Sequence, residues 1–340
     1  MTQREDLKGD GSNNPSGSFS AHITGLSPET KYYYQAYVRE WNETTQDWEY
    51  RKGNVESFFT AKEGQIIVSK PGYLVCGEIP AVSLSGTYES EKETFGDTYY
   101  HSYGVSGKSG QKVVTHTFAN QAGRTLRNYT ILYDKDKKTA LWAAFAMNAD
   151  LYPWSVDRSD SWDYDPALPP EWQPYLKSSY TNNTRGHQVA SNDRRTTPDQ
   201  TKQTTYFSNM TPQIDGFNSG VWSTNEGKVQ ELGKKTTGRD TLYVVTGPIF
   251  GSNAGTDTDN KGVSCPVPTQ FYKCVMKVTF DASGAAVSAQ GAAYLFNHQS
   301  GAARQDKKID EIETLTGFDF FTNIPSAIQE EAESKFTKFF

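Results

Sequence analysis

The chain has 340 residues, room for two domains and a large core, with 35% hydrophobic and 13% aromatic residues and a formal net charge of −6. That acidic balance excludes a histone-like or coat-type binder that meets nucleic acid over its whole surface. No apolar run is long enough to cross a bilayer, and the polar stretch 1–17 has no apolar signal-peptide core, so any export signal has been removed or never existed.

The 20 Tyr and 18 Phe favour strands, and the 28 Gly and 15 Pro supply turns, so the composition is that of a β-rich protein. Residues 18–23, 32–38 and 55–60 alternate as three strands. Between the first two, Leu26 and Pro28 precede Tyr32, an arrangement that resembles the tyrosine corner of fibronectin type III domains. Only the last three strands of such a sandwich are covered. The reading for 1–62 is therefore a partial fibronectin type III-like β segment, trimmed from a longer protein and docked on the adjoining domain.

Residues 63–110 read as a connecting β/loop region, with short strands at 66–68 and 73–76 and a Gly- and Ser-rich loop at 103–111. The third region, 111–340, is expected to be the main domain. Residues 128–133 and 140–145 flank the turn 134–138 and predict a hairpin. Stretches 241–247 and 271–278 read as core strands, and 226–232 and 327–335 as helices. The fold class is α+β, helices laid on a mostly antiparallel sheet, plus the small N-terminal all-β fragment. The three cysteines, Cys76, Cys265 and Cys274, form no CxxC, which excludes zinc ribbons and thioredoxin-type chemistry. Cys265 and Cys274 either bridge a turn in an oxidising compartment or remain buried thiols.

The chemistry concentrates in 177–239, where nine Lys and Arg stand against five Asp and Glu, a basic island on an acidic protein. His187 follows Arg185 and Gly186. Its imidazole suits removal of a proton from water, Gly186 lets the backbone bend beside it, and Arg185 adds a fixed positive fork. Asn218 either caps the helix expected at 218–232 or offers a neutral oxygen to Mg²⁺. Glu226 lies about 12 Å further along such a helix, too far to share one ion directly, and would orient metal-bound water. Asn209 and Gln213 flank Thr211-Pro212 in a loop. Arg158, in a polar loop, can clamp a phosphate oxygen. Taken singly, each has an ordinary structural explanation.

Taken together, Arg185-Gly186-His187, Asn209-Met210-Thr211-Pro212-Gln213, Asn218-Ser219-Gly220-Val221-Trp222 and Glu226 resemble the signature of the DNA/RNA non-specific endonucleases, the ββα-metal nucleases. Stretches 243–248, 267–273 and 315–321 are similar to family segments, so the resemblance covers roughly 124–325. It implies a Mg²⁺-dependent endonuclease, with Mn²⁺ as a substitute, cutting DNA and RNA to 5′-phosphate products. By resemblance His187 is the general base and Asn218 the direct metal ligand. Glu226 and Asn209 position the metal shell, and Arg185 and Arg158 stabilise the phosphate. One departure stands out: Thr184 replaces the family's Asp. That substitution favours the alternative, a catalytically impaired nuclease-like module that binds nucleic acid, carbohydrate or protein. The fibronectin-like piece fits a secreted, cell-surface or periplasmic setting. Nothing in the chain sets an oligomeric state.

Overall fold

A computed structural model describes residues 31–59, 76–92, 98–282 and 284–340. They belong to two compact units divided after Gly64. The smaller contains the antiparallel hairpin β1 (Lys31–Asn42) and β2 (Asp47–Phe59). Both strands run beyond the alternating stretches read in the sequence. The Asn42 side-chain oxygen accepts from the backbone N–H of Thr44 and Thr45 and starts the reversal, which Gln46 completes in the left-handed region (φ 55°). Trp41 and Trp48 pair edge to face across the strands, 5.4 Å between centroids. The expected strand at 18–23, the corner residues before Tyr32 and the short strands at 66–68 and 73–75 lie outside the described residues.

The larger unit is built on a nine-stranded antiparallel sheet. Five strands follow one another as a meander: β3 (Leu84–Lys92), β4 (Tyr99–Val105), β5 (Lys108–Ala119), β6 (Thr125–Asp134) and β7 (Thr139–Met147). The chain then leaves the sheet, making β8 (Thr184–His187), helix α1 (Pro198–Gln203), β9 (Met210–Gln213), the single turn α2 (Asp215–Phe217) and helix α3 (Ser223–Lys234). It returns directly beside β7 as β10 (Asp240–Ile249). A small ribbon, β11 (Thr256–Thr258) with β12 (Ser264–Pro266), precedes the last sheet strands β13 (Gln270–Phe280), β14 (Ala286–Asn297) and β15 (Gln305–Lys307). Helices α4 (Ile309–Thr316) and α5 (Ser326–Glu333) close the chain.

Period-2 alternation divides the sheet's side chains between two cores. On β13, Phe271 and Val275 join one core with Phe217, Trp222 and Val229 from the excursion. Tyr272, Cys274 and Met276 face the other, covered by Ile309, Ile312 and Ala332 of α4 and α5. The architecture is mixed α+β with a mostly antiparallel sheet.

Two expectations are corrected here. The stretch 103–111 is no loop: it is the end of β4, a tight reversal with Gly107 left-handed (φ 71°), and the start of β5. Its Gly and Ser content signals a loop locally, but pairing with neighbouring strands overrides that propensity. For the same reason the segment read as a connector contributes β3 and β4, the sheet's outer strands on that side. All three cysteines are free thiols, with Cys265 and Cys274 buried.

Candidate active site

The excursion between β7 and β10 carries every residue singled out in 177–239. Strand β8 pairs antiparallel with β9, placing Thr184 opposite Gln213, Gly186 opposite Thr211 and His187 opposite Met210. Gly186 is required: a Cβ there would overlap the fully buried Gln213 side chain. Beyond His187, the Gln188 amide donates to the Ala140 carbonyl and the Thr211 hydroxyl, pinning the strand to the sheet. Asn209 holds the next residue, accepting from the Val189 N–H and donating to the carbonyls of Val189 and Thr204.

The turn that carries Asn218 is fixed from the opposite side. His298 Nδ1 faces the Pro268 carbonyl at 2.8 Å, and a carbonyl only accepts, so Nδ1 carries the proton. Its Nε2 then accepts from the Ile214 N–H at 2.8 Å. Phe217 and Trp222 are buried against Phe271 and Phe296. Between them Asn218–Trp222 forms a π-type turn, kinked at Gly220 (φ −95°, ψ −114°). Asn218 has helical dihedrals and its side chain caps nothing, which removes the N-cap reading.

These elements enclose a cleft of about 500 Å³ lined by Arg158, Trp162, Thr184, Arg185, His187, Asp193, Asn218 and Glu226 among others. Of the residues expected at the site, Arg158, Arg185, His187, Asn218 and Glu226 meet here. Asn209 does not line the cleft: it is fully buried, its amide bonded to the backbone of Val189 and Thr204.

Each group has a defined electrostatic state. His187 Nε2 is shielded and has no hydrogen-bond partner among the described residues. Burial, then the charges of Arg158 and Arg185, pushes its pKa down to about 3, so the ring is neutral and can accept a proton. Arg185 is held by the carbonyls of Leu176 and Lys177, both 3.1 Å from Nη1, and burial lowers its pKa. Arg158 is exposed at the rim and makes no ion pair among the described residues. Glu226 carries an unpartnered, shielded Oε1. Burial raises its pKa to about 7; Lys273 opposes the rise and Asp193 adds to it.

Three neighbours were not legible as site residues. Trp162 stacks on Arg185, Asp193 lines the cleft beside Glu226, and fully buried Lys273 lies over the Trp222 ring at 4.8 Å. On β13, residue 273 falls on the same face as Phe271 and Val275, the face that packs against the excursion, and the period-2 count places it there. An acidic trio elsewhere, Asp310, Glu313 and Glu333, lies at α4 and α5 and lines no part of the cleft.

The donor set fits a hard divalent cation. It offers a neutral amide oxygen and a carboxylate with an unpartnered oxygen, and no thiolate lines the cleft.

A family model described as DNA/RNA non-specific endonuclease matches residues 107–327. A nuclease of Nostoc sp. is 30% identical over 216 residues, covering 61% of this chain and 76% of the relative. Nuclease C1 of Cunninghamella echinulata var. echinulata is 31% identical over 212 residues, covering 58% and 81%. A nuclease of Serratia marcescens is 29% identical over 241 residues, covering 68% and 82%. Nuclease EXOG of Danio rerio, named as mitochondrial, is 27% identical over 187 residues, covering 50% and 52%. A solved structure of the EndoG/EndoGI complex covers 60% of this chain and 87% of that one, at TM-score 0.47 and 23% identity.

Proposed function

The chain belongs to the family of DNA/RNA non-specific endonucleases, and from that premise we propose how its cleft cuts a phosphodiester bond. The substrate is the backbone of DNA or RNA, the cofactor a single Mg²⁺ for which Mn²⁺ substitutes, and the product a 5′-phosphate. The observation that carries the reading is a neutral His187, its Nε2 without a hydrogen-bond partner among the described residues, lining one cleft with Arg158, Arg185 and Asn218.

Arg158 and Arg185 draw the phosphate in and donate to its non-bridging oxygens. An anion placed there offsets two of the three causes that depress the His187 pKa, so substrate binding strengthens the base. Nε2 then takes a proton from a water molecule whose oxygen attacks phosphorus. The P–O3′ bond breaks in line with the attack, and the 3′ oxygen leaves with the bonding pair and is protonated from solvent. Asn218 would hold the metal and Glu226 would orient the water around it. The ion, when bound, supplies Lewis-acid stabilisation of charge on the phosphate and the leaving oxygen. Asn209 acts through the backbone at Val189, keeping His187 in place.

Recognition through phosphates carries no base information, so cleavage has little sequence preference and weakens steeply with salt. The test is a plasmid and RNA degradation assay. Cleavage in Mg²⁺, arrest by EDTA and recovery on added Mg²⁺ are expected, with His187→Ala binding duplex but not cutting it. Full activity in chelator removes the metal from this scheme, and cutting by His187→Ala at the parent rate removes the base.

A further inference from the structure

We infer that Thr184 is a positioning residue that fixes which end of the Asn218 amide faces the cleft. This rests on the reading of Asn218 as the metal-holding residue. The Thr184 hydroxyl lies 3.0 Å from the Gln213 carbonyl oxygen and 2.9 Å from Asn218 Nδ2. A carbonyl oxygen has no proton to give, so the single hydroxyl proton must point to Gln213. What remains toward Asn218 is a lone pair, which only an N–H satisfies. The amide nitrogen therefore turns to Thr184, and Oδ1 turns away from it. Among the described residues no hydrogen bond engages Oδ1, and Asn218 lines the cleft.

The lock works because its three parts are held independently. Thr184 and Gln213 are directly opposed in the β8–β9 ladder, so the hydroxyl and its acceptor keep their spacing. The Asn218 backbone is set by the buried anchors Phe217 and Trp222 on either side. Those anchors do not set the amide torsion, and a primary amide is nearly symmetric in shape. Without an acceptor at 184 its two orientations would differ little in packing, and one of them presents two N–H groups to a cation. A carboxylate at 184, the residue type the family signature carries, also accepts from Nδ2 but cannot donate to Gln213. Thr184 thus supplies the acceptor that the Asn218 amide needs without a carboxylate.

The experiment is a double-mutant cycle on Mn²⁺ affinity, read by the loss of the free-ion electron paramagnetic resonance signal, so that no turnover is required. Thr184→Val keeps the shape and removes the hydroxyl; roughly 10-fold weaker binding is expected. Thr184→Ser keeps the hydroxyl and should bind within about 2-fold of the parent. In an Asn218→Asp background both ends of the side chain are oxygen, so Thr184→Val should cost less than about 2-fold. If Thr184→Val does not fold, Thr184→Ala carries the same expectation. A Thr184→Val protein that binds as the parent does, while Asn218→Ala does not, overturns this inference alone. The same holds if Thr184→Val weakens binding as much in the Asn218→Asp background as in the parent. Undiminished binding by Asn218→Ala overturns the metal-holding assignment and this inference with it.

Discussion

The guanidinium carbon of Arg185 lies 3.7 Å from the centre of the Trp162 ring, and the same indole packs against the His187 ring at 5.5 Å. One aromatic side chain thus packs against two cleft residues. The indole is itself tied down, since its N–H donates to the Asp160 carboxylate. Nη1 is bonded to two carbonyls and the guanidinium lies over the indole, which leaves Nε and Nη2 of Arg185 without a hydrogen bond among the described residues.

Trp162→Ala should therefore lower kcat more than it raises KM. Losing the stack lets Arg185 swing, and losing the ring contact lets the His187 imidazole turn. A drop of about 10- to 100-fold in kcat is expected, with Trp162→Phe recovering most of it. Steady-state kinetics on a short duplex measure this. Parent-like kcat in Trp162→Ala would show that the stack has no part in positioning.

His187 makes folding sensitive to acid. Its folded pKa is about 3 against an ordinary 6.5, so between those values the unfolded chain binds a proton that the folded chain refuses. Stability from this residue is intact above pH 6.5 and declines as pH falls toward 3. His187→Gln, which does not titrate, should lose less of its melting temperature than the parent between about pH 7 and 4. His101 and His298 are lowered in the same direction, so a residual acid sensitivity will remain in the variant. Parallel melting curves for the two proteins across that range would contradict the buried, cation-flanked imidazole.

Much of this was legible in the chain. The hairpin of β6 and β7 announced itself by two apolar runs around a polar turn. His187, Arg185 and Asn218 stood out only in combination, through the motif they share, since each alone has an ordinary structural explanation. What a linear pattern does not carry is direction. Asn209 belongs to the same motif as Asn218, yet one is buried as a backbone clamp and the other opens on the cleft. Lys273 reads as an ordinary strand lysine, and only its sheet neighbours reveal that its face is occupied by Trp222. The helix expected at 218–232 starts instead as a π-type turn, because Phe217 and Trp222 must both reach the core. Hydrophobic period alone does not distinguish that turn from regular helix.

Lys273 and Glu226 give the cleft a tunable carboxylate. The Lys273 ammonium is fully buried without a hydrogen-bond partner among the described residues. Its charge favours ionised Glu226, whereas burial and Asp193 favour the protonated form. Lys273→Met removes the favourable charge at similar length, so Glu226 should hold its proton to higher pH. If ionised Glu226 is needed, the acid limb of the cleavage profile moves up by about 1 pH unit. The shift should vanish in Glu226→Gln, which has no proton to lose. An unmoved acid limb in Lys273→Met would mean that Glu226 is not the group that sets it.

Gly186 and Asn209 should separate scaffold from chemistry. A methyl at 186 meets the side chain of Gln213, which is fully buried and must shift to make room. Gly186→Ala should cost about 1–3 kcal/mol of stability. Asn209→Ala leaves the Val189 N–H and the Val189 and Thr204 carbonyls without the amide, at about 1–3 kcal/mol for each buried group left unpaired. Both variants should unfold at lower denaturant, and the activity that survives below their melting points should keep the parent's Mg²⁺ dependence, since neither residue lines the cleft. Asn209→Ala that melts like the parent yet cuts no substrate would instead place Asn209 in the reaction itself.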